Sequence, residues 1–214
     1  EAGAKEDIRS RYLTKFATGN YLAAICLTEP EAGSDAAAIK TRALRQGDYY
    51  LLNGRKCFIT SGGMADILSV FAVTTPDKGA KGISLFVVER DTPGISTGKI
   101  EDKMGMRGTQ TAEVIFEDAM VPAQNLVGEE NKGFFMAMDG FDKSRTLVGA
   151  LSVGLAQAAL DQAIEYAKVR VTFGKSIAQH QAIRFMIADM AMQIEAARAL
   201  VYKTAAMADA GHKA

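Results

Sequence analysis

Thr28 stands at the end of the β-like run Ala24-Ile25-Cys26-Leu27, and the stretch behind it, Glu29-Pro30-Glu31-Ala32-Gly33-Ser34-Asp35, is rich in small and polar residues. Such residues let backbone amides and hydroxyls come close to a planar, polar ligand. The same pattern also describes an ordinary strand running into a tight turn. Further on, Arg170 is a helix-end cation followed by Thr172-Phe173-Gly174-Lys175, a helix-breaking turn. Asp142 and Arg145, three residues apart, have the spacing of a helix-surface ion pair.

Metal and thiol chemistry find no support. The two cysteines, Cys26 and Cys57, lie in apolar β-like runs without a CxxC pair, which suits buried, inert thiols. His180 and His212 are too few and too far apart for a metal site. Lys+Arg and Asp+Glu both total 25, so no net charge draws nucleic acid or an anionic membrane, and any anionic ligand must meet a local basic cluster.

The elements that must position these residues change character twice along the 214 residues. From about Ala4 to Ala17, Ile8, Tyr12, Leu13 and Phe16 recur at helical spacing, and Gly19-Asn20 stops the helix. Short β-rich runs follow to about Val127. Thr41–Arg45 and Tyr49–Leu52 flank Gln46-Gly47-Asp48 as a hairpin, Asn53-Gly54 reads as a turn before Lys56–Thr60, and Ile67–Val73, Ile83–Val88 and Ala112–Phe116 supply further strands. Strands without intervening helices predict an antiparallel barrel or sandwich and argue against a parallel nucleotide-binding sheet. Helical spacing returns in Phe134–Val169 and Ile177–Ala210, where Ile183, Met186, Ile187, Met190, Ile194, Ala197, Leu200 and Val201 form one apolar stripe. Two long helices cannot close a bundle, so the stripe requires further helices or neighbouring subunits. The charged start, Glu1 to Arg11, is unlike a signal peptide, and no apolar stretch reads as a membrane span.

Five segments in order carry a resemblance. Leu27-Thr28-Glu29-Pro30 with Ala32-Gly33-Ser34-Asp35, Asn53-Gly54 with Phe58-Ile59-Thr60, Lys103-Met104-Gly105-Met106-Arg107, Phe116-Glu117-Asp118 with Val121-Pro122, and Arg170 with Thr172-Phe173-Gly174-Lys175 resemble the acyl-CoA dehydrogenase family, in its short- and medium-chain-like form. The resemblance implies an α+β multidomain fold, a central antiparallel β-barrel or sandwich flanked by helical domains. Residues 1–21 would be the last helix of an N-terminal helical domain, 22–128 the FAD-binding β-domain, and 129–214 the first part of a C-terminal helical domain whose bundle is incomplete here. FAD is the implied cofactor. By the family pattern Ile25, Leu27 and Thr28 face the flavin ring, Phe58 packs on it where many members have tryptophan, and Thr60 hydrogen-bonds near its hydride-accepting nitrogen. Arg170, Thr172 and Phe173 resemble the segment reaching FAD from a neighbouring subunit of a homotetramer, with Arg170 on the pyrophosphate. Ser34, Phe141, Asp142 and Arg145 resemble contacts to the acyl-CoA substrate.

The reaction so implied is α,β-dehydrogenation of an acyl-CoA thioester to the 2-enoyl-CoA, with electrons passed to an electron-transfer flavoprotein. It needs a carboxylate to take the α-proton. Members keep that base either late in the C-terminal domain or within the segment matched by Phe141–Arg145, where this chain has Ser144. Serine cannot do this unaided, so the base is expected in a later C-terminal part and no catalytic residue is assigned. An alternative is a catalytically incomplete fragment that binds FAD or CoA, or only oligomerises; an acyl-CoA oxidase is a lesser one. A soluble protein of a bacterial cytoplasm or mitochondrial matrix, with neither nucleic acid nor membrane as partner, is expected.

Overall fold

Residues 6–212 are described by a computed structural model, and they fall into two units, divided between Ala137 and Met138. In the first, helix α1 (Glu6–Ala17) lays Ile8 and Tyr12 on the sheet beside Ile67 and Val127. Its expected start at Ala4 lies outside the described residues. The Tyr12 hydroxyl donates to Glu89 at 2.8 Å; burial, and then this carboxylate, push its phenol up to about 12.

Strands β1 (Ala23–Cys26), β2 (Arg42–Gln46), β3 (Tyr49–Thr60), β4 (Ile67–Val73), β5 (Ile83–Glu89), β6 (Ile95–Ile100), β7 (Thr111–Pro122) and β8 (Leu126–Val127) form one sheet in the order β6-β7-β3-β2-β4-β5-β8, with β1 beside β4. Pairing is antiparallel except where β1 and β2 meet β4. Strand β2 touches β4 only through Arg42 and Val73, so the sheet divides there into two halves whose inward residues fill one core. Tyr50 from one half and Phe86 from the other meet edge to face at 4.9 Å between ring centres.

The β2–β3 hairpin forms as its sequence predicts, with Gly47 at φ +62° in the first position of a two-residue loop. Asn53-Gly54 differs: β3 runs unbroken through it, and the pairing with β7 shifts register between Leu52 and Gly54. This is a bulge rather than a turn, and its extra residue lies on β7, where Asp118 takes φ +50°. Gly54, at φ +155°, passes so close to β2 that a Cβ there would lie 2.7 Å from the Thr41 Cα. Strands β6 and β8 are not read from the sequence, because neither carries a clear apolar alternation over its length.

Helix α2 (Gly133–Val169) starts in the first unit, where Gly133 lies against β5 so closely that a Cβ would come 2.7 Å from the Leu85 nitrogen. In the second unit α2 and α3 (Gln181–Asp209) pack through Val153, Leu160 and Ile194, with Ile164, Ile187, Ala191 and Val201 around them. The break between the helices is a small hairpin, β9 (Val171–Thr172) with β10 (Lys175–Ser176), whose loop residues Phe173 and Gly174 both have positive φ. A 3₁₀ turn at Ile177–Gln179 precedes α3, which therefore begins at Gln181, not Ile177. Of the expected stripe, Ile194 is buried and Ile183, Ile187 and Val201 are half-buried, while Met186, Met190, Ala197 and Leu200 remain exposed. Contrary to the sequence reading, α2 is by length and composition apolar enough to cross a membrane, because its Leu, Val, Ala and Gly residues surround it almost on every side.

Candidate functional site

Two chain segments meet at one face of the first unit. The Cys57 amide donates to the Thr28 carbonyl at 2.9 Å, which fastens the end of β1 to β3. At that point β3 itself carries a bulge: between Lys56 and Ile59 its register against β7 shifts, and Phe58 takes φ +55°. The left-handed turn throws the Phe58 ring outward, leaving it 65% exposed. A bulky residue with positive φ is uncommon and strained, and such strain clusters where function needs a side chain re-aimed. Along β1, Ala24 and Cys26 enter the core, so Ile25 faces out and is 57% exposed. Leu27 is buried, Thr28 half-buried, and Thr60 exposed at the end of β3.

Behind this face lies an ion pair that the sequence reading missed. Lys56 is 0% exposed, and its ammonium donates to Glu29 Oε1 at 2.7 Å and to the Leu27 carbonyl at 3.1 Å. The Glu29 carboxylate also accepts the Lys40 amide at 2.6 Å and the Thr41 amide at 3.0 Å. Burial alone would push the Glu29 carboxyl up; the Lys56 charge, its hydrogen bond and those from residues 40 and 41 outweigh burial and hold it below the ordinary range. Burial draws the Lys56 ammonium down, and Glu29 opposes that. No local signal reveals a pair 27 residues apart; a charged residue amid the apolar run Lys56–Thr60 was the only hint.

The remaining candidates lie elsewhere. Ser34 is exposed, two residues past the Glu29–Ala32 bridge that closes the turn after β1. Phe141, Asp142 and Arg145 are in the second unit on α2, where Asp142 and Arg145 form a 3.6 Å ion pair with both side chains solvated. The Ser144 hydroxyl donates to the Phe141 carbonyl at 2.9 Å. Arg170, exposed at the end of α2, is in no ion pair among the described residues. Thr172 shares a 3.0 Å hydrogen bond with His180, and the Phe173 ring, 95% exposed, stands edge-on to the same histidine. The first unit thus brings together Ile25, Leu27, Thr28, Phe58 and Thr60; Arg170, Thr172 and Phe173 form a separate cluster in the second. Cys26 is buried and its thiol is pushed up to about 12 by burial, which suits an inert core residue. No group of three or more metal-ligating side chains occurs among the described residues.

A β unit with an outward aromatic held at positive φ, followed by a unit of two long helices, is an α+β arrangement of two units. Comparison with known proteins names the class. Residues 24–119 match the acyl-CoA dehydrogenase middle domain and residues 131–214 the acyl-CoA dehydrogenase C-terminal domain. Over 212 residues the chain is 49% identical to cyclohex-1-ene-1-carbonyl-CoA dehydrogenase of Geobacter metallireducens, covering 99% of this chain and 56% of that protein. It is 50% identical over 208 residues to the caffeyl-CoA reductase-Etf complex subunit CarC of Acetobacterium woodii, covering 97% and 55%. Butyryl-CoA dehydrogenase from Megasphaera elsdenii superposes with a TM-score of 0.93 at 50% identity, over 97% of this chain and 54% of that one. The chain belongs to the acyl-CoA dehydrogenase family, whose members are FAD-dependent flavoproteins. It spans about half the length of the curated relatives it matches.

Proposed function

We propose that this chain supplies the flavin seat and part of the thioester site of an FAD-dependent enzyme that dehydrogenates an acyl-CoA to its 2-enoyl-CoA. The observation that carries this is the Thr28–Cys57 hydrogen bond, which sets Ile25, Leu27 and Thr28 beside Phe58 and Thr60. The residues fit the cofactor: an apolar wall of Ile25 and Phe58 for a flat ring, with the Thr28 and Thr60 hydroxyls for its polar edge. When bound, FAD supplies the acceptor for the hydride leaving the β-carbon. Phe58 and Ile25 cover the ring and keep water from it. The Thr28 and Thr60 hydroxyls would hold the polar edge of the flavin, where donated hydrogen bonds would favour its more negative, reduced form.

Arg170, with Thr172 and Phe173 beside it, would hold the FAD pyrophosphate of a neighbouring subunit in a homotetramer by charge-assisted hydrogen bonds. Ser34, Phe141, Asp142 and Arg145 hold the thioester. The α-proton goes to a carboxylate beyond these residues, since Ser144 stands at one of the family's two base positions and spends its hydroxyl on the Phe141 carbonyl. Electrons pass to an electron-transferring flavoprotein, a reading supported by the relative named for its Etf complex. A bacterial cytoplasm is the proposed location, in line with the bacterial sources of the relatives.

Ser144 also favours a second reading for this chain by itself: a part that binds FAD and thioester without turnover. An anaerobic absorption titration, first with FAD and then with a panel of acyl-CoA thioesters, separates the two. Bleaching of bound flavin by one thioester supports dehydrogenation and overturns the placing of the base beyond these residues. Bound flavin that shifts but does not bleach supports binding without turnover, and flavin that stays free refutes both.

A further inference from the structure

Outside the residues that the flavin reading uses, Lys56 is a buried ammonium held by two hydrogen bonds, to Glu29 and to the Leu27 carbonyl. It has no solvent exposure, and it joins three segments: its own strand β3, the end of β1 through the Leu27 carbonyl, and the start of β2 through Glu29, which accepts the Lys40 and Thr41 amides. A buried ion pair is a weak device for stability, since well-packed apolar replacements are often neutral or better. Its location suggests another use. Lys56 is the residue at which β3 leaves register, immediately before Cys57 and Phe58, and Leu27 is immediately before Thr28. The Lys56–Leu27 link and the Cys57–Thr28 link are consecutive, so the ammonium fixes how far the β1 end can slide along the bulge.

We propose that Lys56 is a positioning residue for the flavin face: by holding the Leu27 carbonyl it sets the alignment of Thr28 against Phe58, while Glu29 serves to neutralise and anchor the ammonium. This rests on the proposed flavin reading. It assigns different tasks to the two partners of one ion pair, and that difference is measurable. Glu29→Gln removes the charge pairing but leaves the Lys56–Leu27 hydrogen bond available. Lys56→Met combined with Glu29→Gln removes both without leaving a buried charge.

The test uses the full chain loaded with FAD and reads three quantities: the dissociation constant for FAD, the visible circular dichroism of the bound flavin, and the thermal unfolding midpoint. Glu29→Gln is expected to lower the midpoint and to leave flavin dichroism and affinity near wild type. The double variant is expected to unfold no earlier than Glu29→Gln, to bind FAD about tenfold more weakly, and to lose most of the flavin dichroism. A folded double variant with wild-type flavin dichroism and affinity overturns the assignment and leaves the pair a purely structural one. If the double variant does not fold, Glu29→Gln decides: retained dichroism supports the Leu27 link, and lost dichroism overturns it. A wild-type chain that takes up no FAD removes the flavin reading itself, and this assignment with it.

Discussion

Phe58 is the residue on which the site most visibly departs from what an unconstrained chain would choose. Its φ of +55° is one that glycine adopts freely and that a phenylalanine holds only under constraint. Phe58→Gly should therefore raise stability, by about 1 kcal/mol, in a urea titration, while FAD affinity falls because the exposed ring is gone. Lower stability together with unchanged FAD binding would contradict the role given to this ring. Glu29 makes a pH prediction with a definite sign. Its carboxyl is held below the ordinary range in the folded chain, so the unfolded chain takes up the proton first as the pH falls. Its contribution is complete above the ordinary carboxylate range and is lost as the pH drops through the lowered folded value. Glu29→Gln should flatten the acid side of a stability–pH curve, and an unchanged acid limb would count against the pair. At this scale the family motif singled out Thr28, Phe58 and Thr60, of which Phe58 and Thr60 are exposed. The Lys56–Glu29 pair was not legible, because its partners are brought together only by the β1–β3 junction.

Strand β3 is the element that the site depends on, and its pairing with β7 is interrupted by two bulges, one on each strand. The one on β3 aims Phe58; the one on β7 lies opposite Gly54, where a Cβ would meet the backbone of Thr41, just ahead of β2. Gly54→Ala should cost about 2–4 kcal/mol, read as a shift of the urea midpoint, since neither strand can retreat without breaking the β2–β3 pairing. A change under about 0.5 kcal/mol would mean the strands move apart more easily than their register suggests. Hairpin β2–β3, strands β4 and β5 and the long helices were readable from alternation and helical period. The unbroken passage of β3 through Asn53-Gly54 was not, because the same dipeptide that makes tight turns also supplies the glycine that a close strand crossing needs. Strand β6, Ile-Ser-Thr-Gly-Lys-Ile, has too little buried surface to impose an alternating pattern on its sequence.

At the scale of the whole molecule, the unresolved matter is apolar surface. Leu147, Leu151, Leu155 and Leu200 are all more than half exposed on α2 and α3, which exceeds what scattered surface leucines require. Self-association follows: light scattering at micromolar concentration should report assemblies larger than one chain, and Leu151→Lys with Leu155→Lys should shift them toward monomer. A wild-type chain that stays monomeric throughout would remove the support for a shared FAD site. The stripe on α3 led the sequence reading to expect covering helices or subunits, but it could not name them, since an apolar stripe records burial and not the identity of what covers it.

The most direct test of the flavin seat is an absorption titration of FAD into the purified chain, run beside Phe58→Gly. The expected result is saturation at one FAD per chain, with a sharpened and shifted flavin band that the variant weakens. A flavin spectrum identical to that of free FAD, with the cofactor separating from the protein on gel filtration, would contradict it.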